Sequence, residues 1–328
     1  NRAQGTNDVM STATRRATLA TLPTLLSALA ALADALLEKG RAFDHVIKSG
    51  RTHLQDATPI RLGQEFAAYG LTVARHVRKL DQAADWLRPM NIGGTAVGTG
   101  INAEAAYPAL MVKHLQAVSG LALAVGENRV QLMQSMGDIA TFSGALRAFV
   151  LDLNKIANDI RLLASGPRTG LAEIMLPAVQ PGSSIMPGKV NPSIAEMVNQ
   201  VCYQALGLDT TVAMASEAGQ LELNVMMPVI THNIVFAMII VGNASRVFAE
   251  KCVRGIEADE AMCVHWLERS PALVTALAPT LGQAESAKLA KEARATGLSW
   301  QELGGQNGHL GGGEPEAAPG RRLRGELG

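Results

Sequence analysis

The stretch FSGALRAFVLDLNKIANDIRLL, residues 142–163, decides the fold that this sequence predicts. Its apolar side chains recur at alternating intervals of three and four residues, which places them on one face of an α-helix. At 3.6 residues per turn, the stretch forms about six turns. A helix of that length with one continuous apolar face is typical of a helical bundle. The residues of this face are Phe142, Leu146, Phe149, Leu153, Ile156, Ile160 and Leu163.

Two other segments predict helices with an apolar face. The first helix includes the segment from Leu19 to Gly40, which ends it. Its apolar residues recur at alternating intervals of three and four residues despite Pro23. The second helix is expected to begin with Asn191 as N-cap and Pro192 at its first helical position. The apolar positions are Leu19, Leu22, Leu26, Leu29, Ala33 and Leu36 in the first helix, and Ile194, Met197, Val198 and Val201 in the second.

The composition of the 328-residue chain favours the same fold class. Aromatic residues make up only 4% of the chain, and strand-favouring residues are not gathered into alternating runs. These two features disfavour an all-β sandwich or barrel. The sequence therefore predicts an all-α fold, a bundle of long helices with active-site motifs on its loops.

Charge and cysteine content limit the possible functions. The chain has 29 basic and 29 acidic residues, so it lacks the positive charge expected of a nucleic-acid-binding protein. Its three cysteines show no metal-ligand spacing, and their odd number argues against a disulfide framework. The apolar segment at 235–241 follows several polar residues and is expected to be a buried helix rather than a membrane span. A small-molecule site in a cytoplasmic protein fits these observations.

Three segments between the predicted helices are rich in glycine, proline, serine and threonine, which indicates turns and loops. They cover residues 49–65, 93–102 and 165–192. Polar loops on a rigid helical scaffold are where catalytic side chains commonly lie. An active site is therefore expected on these loops.

The serine loop, GSSIMPGKVNP at 182–192, combines two serines, a lysine and an asparagine immediately before a helix N-terminus. The positive end of the helix, the lysine and free backbone N–H groups all favour an anion there. Such a loop suits a carboxylate with developing negative charge, and a serine in this field ionises more readily. An ordinary Gly/Pro linker with a capping asparagine is the alternative that composition leaves open.

The segment at 49–59 carries hydrogen-bonding side chains at Arg51, Thr52, His53, Gln55 and Asp56. His53 is a candidate general acid or base, or an anion ligand. A histidine that only satisfies a turn is the alternative. The sequence has no GxSxG or HExxH motif, and GGTAVGTG lacks the GxGxxG spacing, which disfavours a serine hydrolase, a zinc protease and a dinucleotide-binding fold.

The serine loop resembles the signature loop of the fumarase/aspartase superfamily. Further blocks are similar to the same family in the same order, and the resemblance covers about residues 3–300. Within the family the chain resembles the ammonia-lyases that act on L-aspartate more than the class II fumarases, which carry a GNFELNV-like block where this chain has GQLELNV at 219–225. The further blocks are GRTHLQDATP at 50–59, GTAVGTGIN at 94–102 and IANDIRLLASGPRTGLAEI at 156–174.

The resemblance assigns roles to residues of the serine loop and of the 50–59 block. Ser183 is the expected general base, and Lys189 and Asn191 are expected to bind the substrate carboxylate. Thr52 and His53 match a pair that forms a second carboxylate-binding element.

Two further parts of the chain receive roles by the same resemblance. Glu196 matches a glutamate that pairs with the histidine of the 50–59 block. QGTNDV at 4–9 is similar to the family's SSND or STND block, so Thr6 and Asn7 are expected to contact the substrate. Gly5 stands where the family usually has a serine, so one hydroxyl is missing there.

The activity that the resemblance implies is that of a carbon-nitrogen lyase, the reversible elimination of ammonia from L-aspartate to give fumarate. Reversible hydration of fumarate to malate is the alternative reaction, and an inactive truncated scaffold protein is the alternative from another class. The implied ligand is a small dicarboxylate, with no nucleic acid and no membrane involved. The chemistry requires no metal and no organic cofactor, and no cluster of ligands in the sequence indicates a metal site.

The implied fold is the L-aspartase-like bundle, which forms a homotetramer whose active sites each take blocks from three subunits. Compared with the family, the chain looks truncated at both ends, and an N-terminal domain is expected to be missing. The predicted divisions are a central helical bundle at 1–250, the start of a small C-terminal helical domain at 251–303, and a disordered or aberrant tail at 304–328.

Overall fold

Helices dominate the computed structural model, which describes residues 3–270 and 282–296. The predicted all-α fold class is confirmed. One further helix lies at Gln283–Thr296. The others are α1 (Thr6–Ala42), α2 (Leu62–Asp85), α3 (Tyr107–Ser119), α4 (Arg129–Gln134), α5 (Gly137–Leu163), α6 (Ser193–Glu217), α7 (Met227–Lys251) and α8 (Glu260–Arg269).

Short strands form three two-stranded sheets in the described ranges. The first pair is an antiparallel hairpin that replaces most of the loop predicted at 49–65. The second pair is parallel and the third is antiparallel. The strands are β1 (Ile47–Thr52) with β2 (Gln55–Arg61), β3 (Pro89–Met90) with β4 (Ala124–Val125), and β5 (Ile174–Met175) with β6 (Glu257–Ala258).

Helix α5 contains the stretch on which the fold prediction depends. All seven residues of the predicted apolar face are buried, with relative exposures of 7% or less. Burying a leucine, isoleucine or phenylalanine side chain stabilises a fold by roughly 1.5–3 kcal/mol, so each of these seven side chains favours packing of α5 in the bundle. The predicted face of α5 is confirmed.

Helix α1 is longer than predicted, since it extends from Thr6 to Ala42 and continues past both Pro23 and Gly40. Five of the six predicted apolar positions are buried, and Leu26 is the exception because it is only half-buried. Neighbouring Leu25 is buried in its place, so the buried face is broader than the predicted stripe. The buried leucines of α1 are Leu19, Leu22, Leu25, Leu29, Leu32 and Leu36.

Helix α6 begins at Ser193, one residue later than predicted. Asn191 is therefore outside the helix, and its side-chain amide donates a hydrogen bond to the carbonyl oxygen of Gly182 at 2.8 Å. Only one residue of the predicted face, Val198, is fully buried, and the other three are half-buried. The buried face of α6 is therefore rotated relative to the predicted one. It contains Ala195, Val198, Cys202 and Ala205.

The chain divides into two compact units, each made of several separate segments. Among the described residues, the first unit comprises 3–33, 72–158 and 193–250, and the second comprises 34–71, 159–192, 251–270 and 282–296. The boundaries predicted at residues 250 and 303 stay predictions. The tail predicted at 304–328 lies outside the described residues.

In the first unit, polar contacts tie the long helices together along their packed faces. Helix α5 pairs with both α2 and α6, and α1 pairs with α7. Each of these pairs joins two helices at a defined position and so favours one register between them. The pairs are His76 with Asp152 at 2.7 Å, Asn199 with Asn154 at 2.7 Å, Asp209 with Ser143 at 2.6 Å, and Thr14 with Thr231 at 2.6 Å.

Two helical stretches, Thr6–Ala42 and Met227–Gly255, are long and apolar enough to cross a membrane by length and composition alone. In their most apolar windows, 44% and 50% of the residues are buried inside the protein. Core helices of soluble proteins pass the same test, so this finding is weak support for a membrane span.

The three cysteines are expected to resist thiol reagents in the native protein. Cys202, Cys252 and Cys263 are each 2% exposed or less, and burial raises the pKa of each thiol to about 12. The reactive thiolate is therefore scarce at pH 8 as well as shielded. Titration with Ellman's reagent should detect no rapidly reacting thiol in native protein and three after denaturation. Rapid reaction of any of them in the native state would contradict the packing described.

Candidate active site

The serine loop lies between β5 and α6 in the second unit and has no regular secondary structure. The Ser183 Oγ accepts hydrogen bonds from the backbone N–H groups of Ile185 and Met186, both at 3.2 Å. Hydrogen bonds donated to an oxygen favour its ionised form. The loop therefore holds this hydroxyl in an environment that helps it lose a proton.

The two ends of the serine loop meet at Gly182. The Asn191 amide closes the loop by donating to the Gly182 carbonyl, and the Lys189 N–H donates to the Met186 carbonyl at 3.3 Å. A Cβ atom at Gly182 would collide with the carbonyl oxygen of Lys189. Position 182 therefore requires glycine because the two passing backbones are in contact.

A cleft of about 400 Å³ opens beside the serine loop. Its volume lies within the usual range for small-molecule sites. Ser183 and Lys189 both line it, so the structure brings the predicted base and a predicted carboxylate ligand to the same cleft. The lining residues are Ala178, Val179, Gln180, Pro181, Gly182, Ser183, Met186, Gly188, Lys189 and Val190.

Thr52 and His53 lie at the tip of the β1–β2 hairpin, also in the second unit. Thr52 pairs with Gln55, and the two residues between them form the turn. His53 and Leu54 both have left-handed backbone conformations, with φ values of 56° and 59°. Such a turn strongly prefers Asn-Gly or Gly-Gly, so His53 is presented to solvent on a strained tip.

Sequence reasoning missed the buried charged side chains that anchor this hairpin. Lys48 on β1 is 1% exposed, and its Nζ lies 2.9 Å from Glu65 Oε1 and 3.0 Å from Glu173 Oε2. Arg51 NH1 lies 2.8 Å from Glu173 Oε1, and Glu173 is fully buried. The signal was the pair of cations in KSGR at 48–51, close to the candidate His53.

Burial also affects the protonation of one carboxyl group of this anchor, that of Glu65. Burial raises the pKa of Glu65 above its ordinary value, and the opposing attraction of Lys48 does not cancel that effect. The ionised form of Glu65 is therefore disfavoured by folding, so its contribution to stability falls as the pH rises through its folded pKa.

Thr6 and Asn7 lie in the first turn of α1, in the first unit. The Asn7 amide donates to the Ala96 carbonyl at 2.7 Å. The Thr6 side chain is exposed. At Gly5, a Cβ atom would lie 3.4 Å from the Thr95 carbonyl oxygen, so the backbone there leaves room for a Cβ atom.

Asp8, which sequence reasoning also missed, fixes this block in place. The side chain is fully buried and accepts from the backbone N–H groups of Gly5 and Gly93, both at 2.9 Å. It thereby joins the start of α1 to the glycine-rich segment predicted as a loop at 93–102. The carboxylate directly after Asn7 in the TND sequence was the available signal.

Glu196 lies in the first turn of α6, half-buried and in the first unit. Its predicted pairing with His53 stays a prediction. Within the second unit, no hydrogen bond or ion pair among the described residues joins the hairpin tip to the serine loop. The structure therefore brings Ser183, Lys189 and Asn191 together and places the remaining candidates on separate elements.

The fold and the serine loop match one class of enzymes. The sequence profile of a family described as lyase matches residues 1–207. The structure of a fumarate lyase:delta crystallin from Brucella melitensis bound to cobalt has a TM-score of 0.92 and 48% identity, covering 99% of this chain and 69% of that chain. The chain therefore belongs to the fumarase/aspartase superfamily of lyases.

Curated relatives narrow the comparison within this superfamily. The aspartate ammonia-lyase of Bacillus subtilis (strain 168) is 48% identical over 303 residues, which are 92% of this chain and 64% of that protein. The aspartate ammonia-lyase of Helicobacter pylori (strain ATCC 700392 / 26695) is 47% identical, covering 89% of this chain and 63% of that protein. The chain thus spans less than two thirds of the length of these relatives.

A class II fumarase is also similar in structure. The enzyme from Schistosoma mansoni has a TM-score of 0.88 and 34% identity, and the match covers 95% of this chain and 68% of that chain. The shared fold therefore extends to proteins that are named for different activities. Fold similarity alone does not separate ammonia elimination from hydration.

The strained hairpin tip predicts that Leu54→Gly stabilises the protein. A left-handed conformation costs a residue with a Cβ roughly 1–2 kcal/mol, and Leu54 is 70% exposed, so little packing is lost. We expect a higher thermal midpoint, corresponding to about 1 kcal/mol. Leu71→Gly is the matched control because Leu71 is 57% exposed inside α2, where glycine destabilises a helix. A lower midpoint for Leu54→Gly would show that the turn is not strained.

Proposed function

We propose that the chain carries the catalytic loop of an aspartate ammonia-lyase, which eliminates ammonia from L-aspartate to give fumarate. The observation that carries the proposal is the Ser183 hydroxyl, which accepts two backbone N–H groups beside a cleft that Lys189 also lines. The names and the 47–48% identity of the curated relatives support aspartate as the substrate. The lower identity to the fumarase makes hydration of fumarate the second candidate.

The chemical problem is a weakly acidic proton on the carbon next to a carboxylate. When Ser183, in its ionised form, takes this proton, the electrons of the C–H bond delocalise into the carboxylate and give a dianionic enediolate. These electrons then form the C=C bond of fumarate while the C–N bond breaks and its electron pair leaves with ammonia. Stabilising the enediolate is therefore the main task of the site.

Lys189 and Asn191 are the proposed ligands of this carboxylate. A lysine cation and an amide N–H both interact more strongly with a dianion than with the carboxylate of the substrate. Thr52 and His53 are proposed to bind the other carboxylate, with Thr6 and Asn7 as further substrate contacts. Glu196 is proposed to pair with His53.

We also propose that the protein is a cytoplasmic homotetramer with composite active sites. Large apolar side chains lie exposed on α6 and α7 of the first unit. A monomer rarely exposes such a surface, and closed oligomers cover it. The exposed apolar side chains include Tyr203 and Met214 on α6, at 57% and 63% exposure, and Phe236 and Ile239 on α7, at 40% and 46%. Sedimentation analysis that gives a monomer would contradict this part of the proposal.

Substrate choice is tested by incubating the protein with L-aspartate and L-malate separately and following the ultraviolet absorbance of fumarate. We expect fumarate to form from aspartate and not from malate. Fumarate formed from malate alone would favour the fumarase alternative, and no product from either substrate would contradict the proposed activity of this chain.

Ser183→Ala is expected to lower turnover by roughly two orders of magnitude or more, because the general base is removed. Ser183 is a loop residue, so helicity by circular dichroism should not change. Ser184→Ala is the matched control, since Ser184 is the exposed neighbour in the same loop. If Ser184→Ala loses turnover and Ser183→Ala does not, the base has been assigned to the wrong serine.

Lys189→Ala is expected to act differently from Ser183→Ala. The cation binds the carboxylate in both the ground state and the transition state, so its loss should raise KM as well as lower kcat. Steady-state kinetics over a range of aspartate concentrations measures both effects. An unchanged KM would show that Lys189 does not bind the substrate.

A further inference from the structure

Four charged side chains meet in the interior of the second unit, where β1 packs against the segment that leads to the serine loop. Lys48 and Glu173 are fully buried, at 1% and 0% exposure. Arg51 and Glu65 are mostly buried, at 14% and 19% exposure of their side chains. Two basic side chains thus face two acidic ones, so the formal charges of the cluster balance.

Glu173 is the centre of this cluster because it alone binds both cations of β1. One carboxylate oxygen lies 2.8 Å from Arg51 NH1, and the other lies 3.0 Å from Lys48 Nζ. The Glu173 backbone is held as firmly: its N–H donates to the Leu163 carbonyl, and its carbonyl accepts from the Asp259 N–H, both at 2.9 Å. The carboxylate is therefore a fixed point to which β1 is attached.

The position of Glu173 in the chain links two candidate site elements. Arg51 immediately precedes Thr52 and His53, and Glu173 immediately precedes β5, after which the chain enters the serine loop. Both elements belong to the second unit. Burying an ion cluster is expensive, and apolar residues of similar size often stabilise a fold as well or better. A gain in stability is therefore a weak explanation for this buried cluster, and a role in positioning the hairpin explains it better.

We propose that Glu173 is a positioning residue, which orients the hairpin tip bearing Thr52 and His53 through its ion pairs with Arg51 and Lys48. This inference rests on the proposed function, in which the tip binds one carboxylate of the substrate. Glu173 itself touches no reacting atom. Its loss should therefore weaken the binding of a dicarboxylate without removing the base or the carboxylate ligands of the serine loop.

Glu173→Gln tests the proposal, since it keeps the shape of the side chain and removes its charge. Because the tip binds the ground state and the transition state alike, we expect KM for aspartate to rise roughly tenfold or more while kcat changes little. Asp209→Asn is the matched control, a buried carboxylate of the first unit that binds Ser143 at 2.6 Å and Arg147 at 3.0 Å. It should lower the thermal midpoint without changing KM.

A double-mutant cycle separates positioning from general destabilisation. If Glu173 acts through the hairpin tip, Glu173→Gln should raise KM far less in a His53→Ala background than in the wild type. A merely structural role predicts the same factor in both backgrounds. Equal factors, or an unchanged KM with only a lower midpoint, would overturn the proposal.

Arg51→Lys keeps the test available if Glu173→Gln does not fold. It preserves the charge, but a lysine cannot reproduce the planar guanidinium contact with Glu173. We expect the same rise in KM with a smaller loss of stability, and wild-type KM for this variant would overturn the proposal.

Calorimetric binding of succinate, a dicarboxylate that cannot eliminate ammonia, separates failure of this inference from failure of the proposed function. Weaker succinate binding by Glu173→Gln supports positioning even if the wild type does not convert aspartate, which would contradict only the proposed activity. Equal succinate binding by the two proteins would overturn the inference, whatever their turnover.

Discussion

The two positive charges that β1 carries into the protein interior, Lys48 and Arg51, require a negative charge in the same low-dielectric surroundings. Glu173 supplies it from a segment more than one hundred residues away in sequence. Removing either partner alone would leave an uncompensated buried charge, which is far more damaging than never having placed one there. Ion pairs therefore join the hairpin directly to the segment that leads to the serine loop, and these pairs set the distance between the two elements.

The serine loop is held by hydrogen bonds to its own backbone, and its side chains are mostly exposed. The Ser183 Oγ accepts two backbone N–H groups, and the Asn191 amide binds the Gly182 carbonyl across the base of the loop. Catalysis by electrostatic stabilisation requires donors that are already oriented before the charge develops. A loop held by its own backbone meets that requirement without a hydrophobic core. The close approach of the two ends of the loop also requires glycine at position 182, where a Cβ atom would collide with the Lys189 carbonyl oxygen.

The sequence predicted the parts of the fold that depend on local periodicity and left out those that depend on distant partners. The face of α5 followed from spacing alone, and all of its residues are buried. Leu26 was assigned to the face of α1, yet neighbouring Leu25 is the buried residue, because spacing alone does not fix how wide a buried face is. The β1–β2 hairpin was predicted as a loop, since glycine, threonine and proline in KSGRTHLQDATP mask its weak alternation. No local pattern could show that Lys48 pairs with Glu173.

In the candidate site, too, the residues that a motif identifies differ from the buried residues around them. The strained hairpin tip illustrates this difference. Motif resemblance singled out Thr52, His53 and Ser183, which are exposed or half-exposed, whereas the buried Glu173, which pairs with Lys48 and Arg51, carries no motif of its own. His53 and Leu54 adopt left-handed conformations that a two-residue turn of such residues does not favour. Strained conformations persist only where the surrounding structure over-determines them. Here the ion pairs of Lys48 and Arg51 with Glu173 anchor β1, the strand that leads directly into the strained tip, which is the arrangement expected where a strained turn is kept for a function.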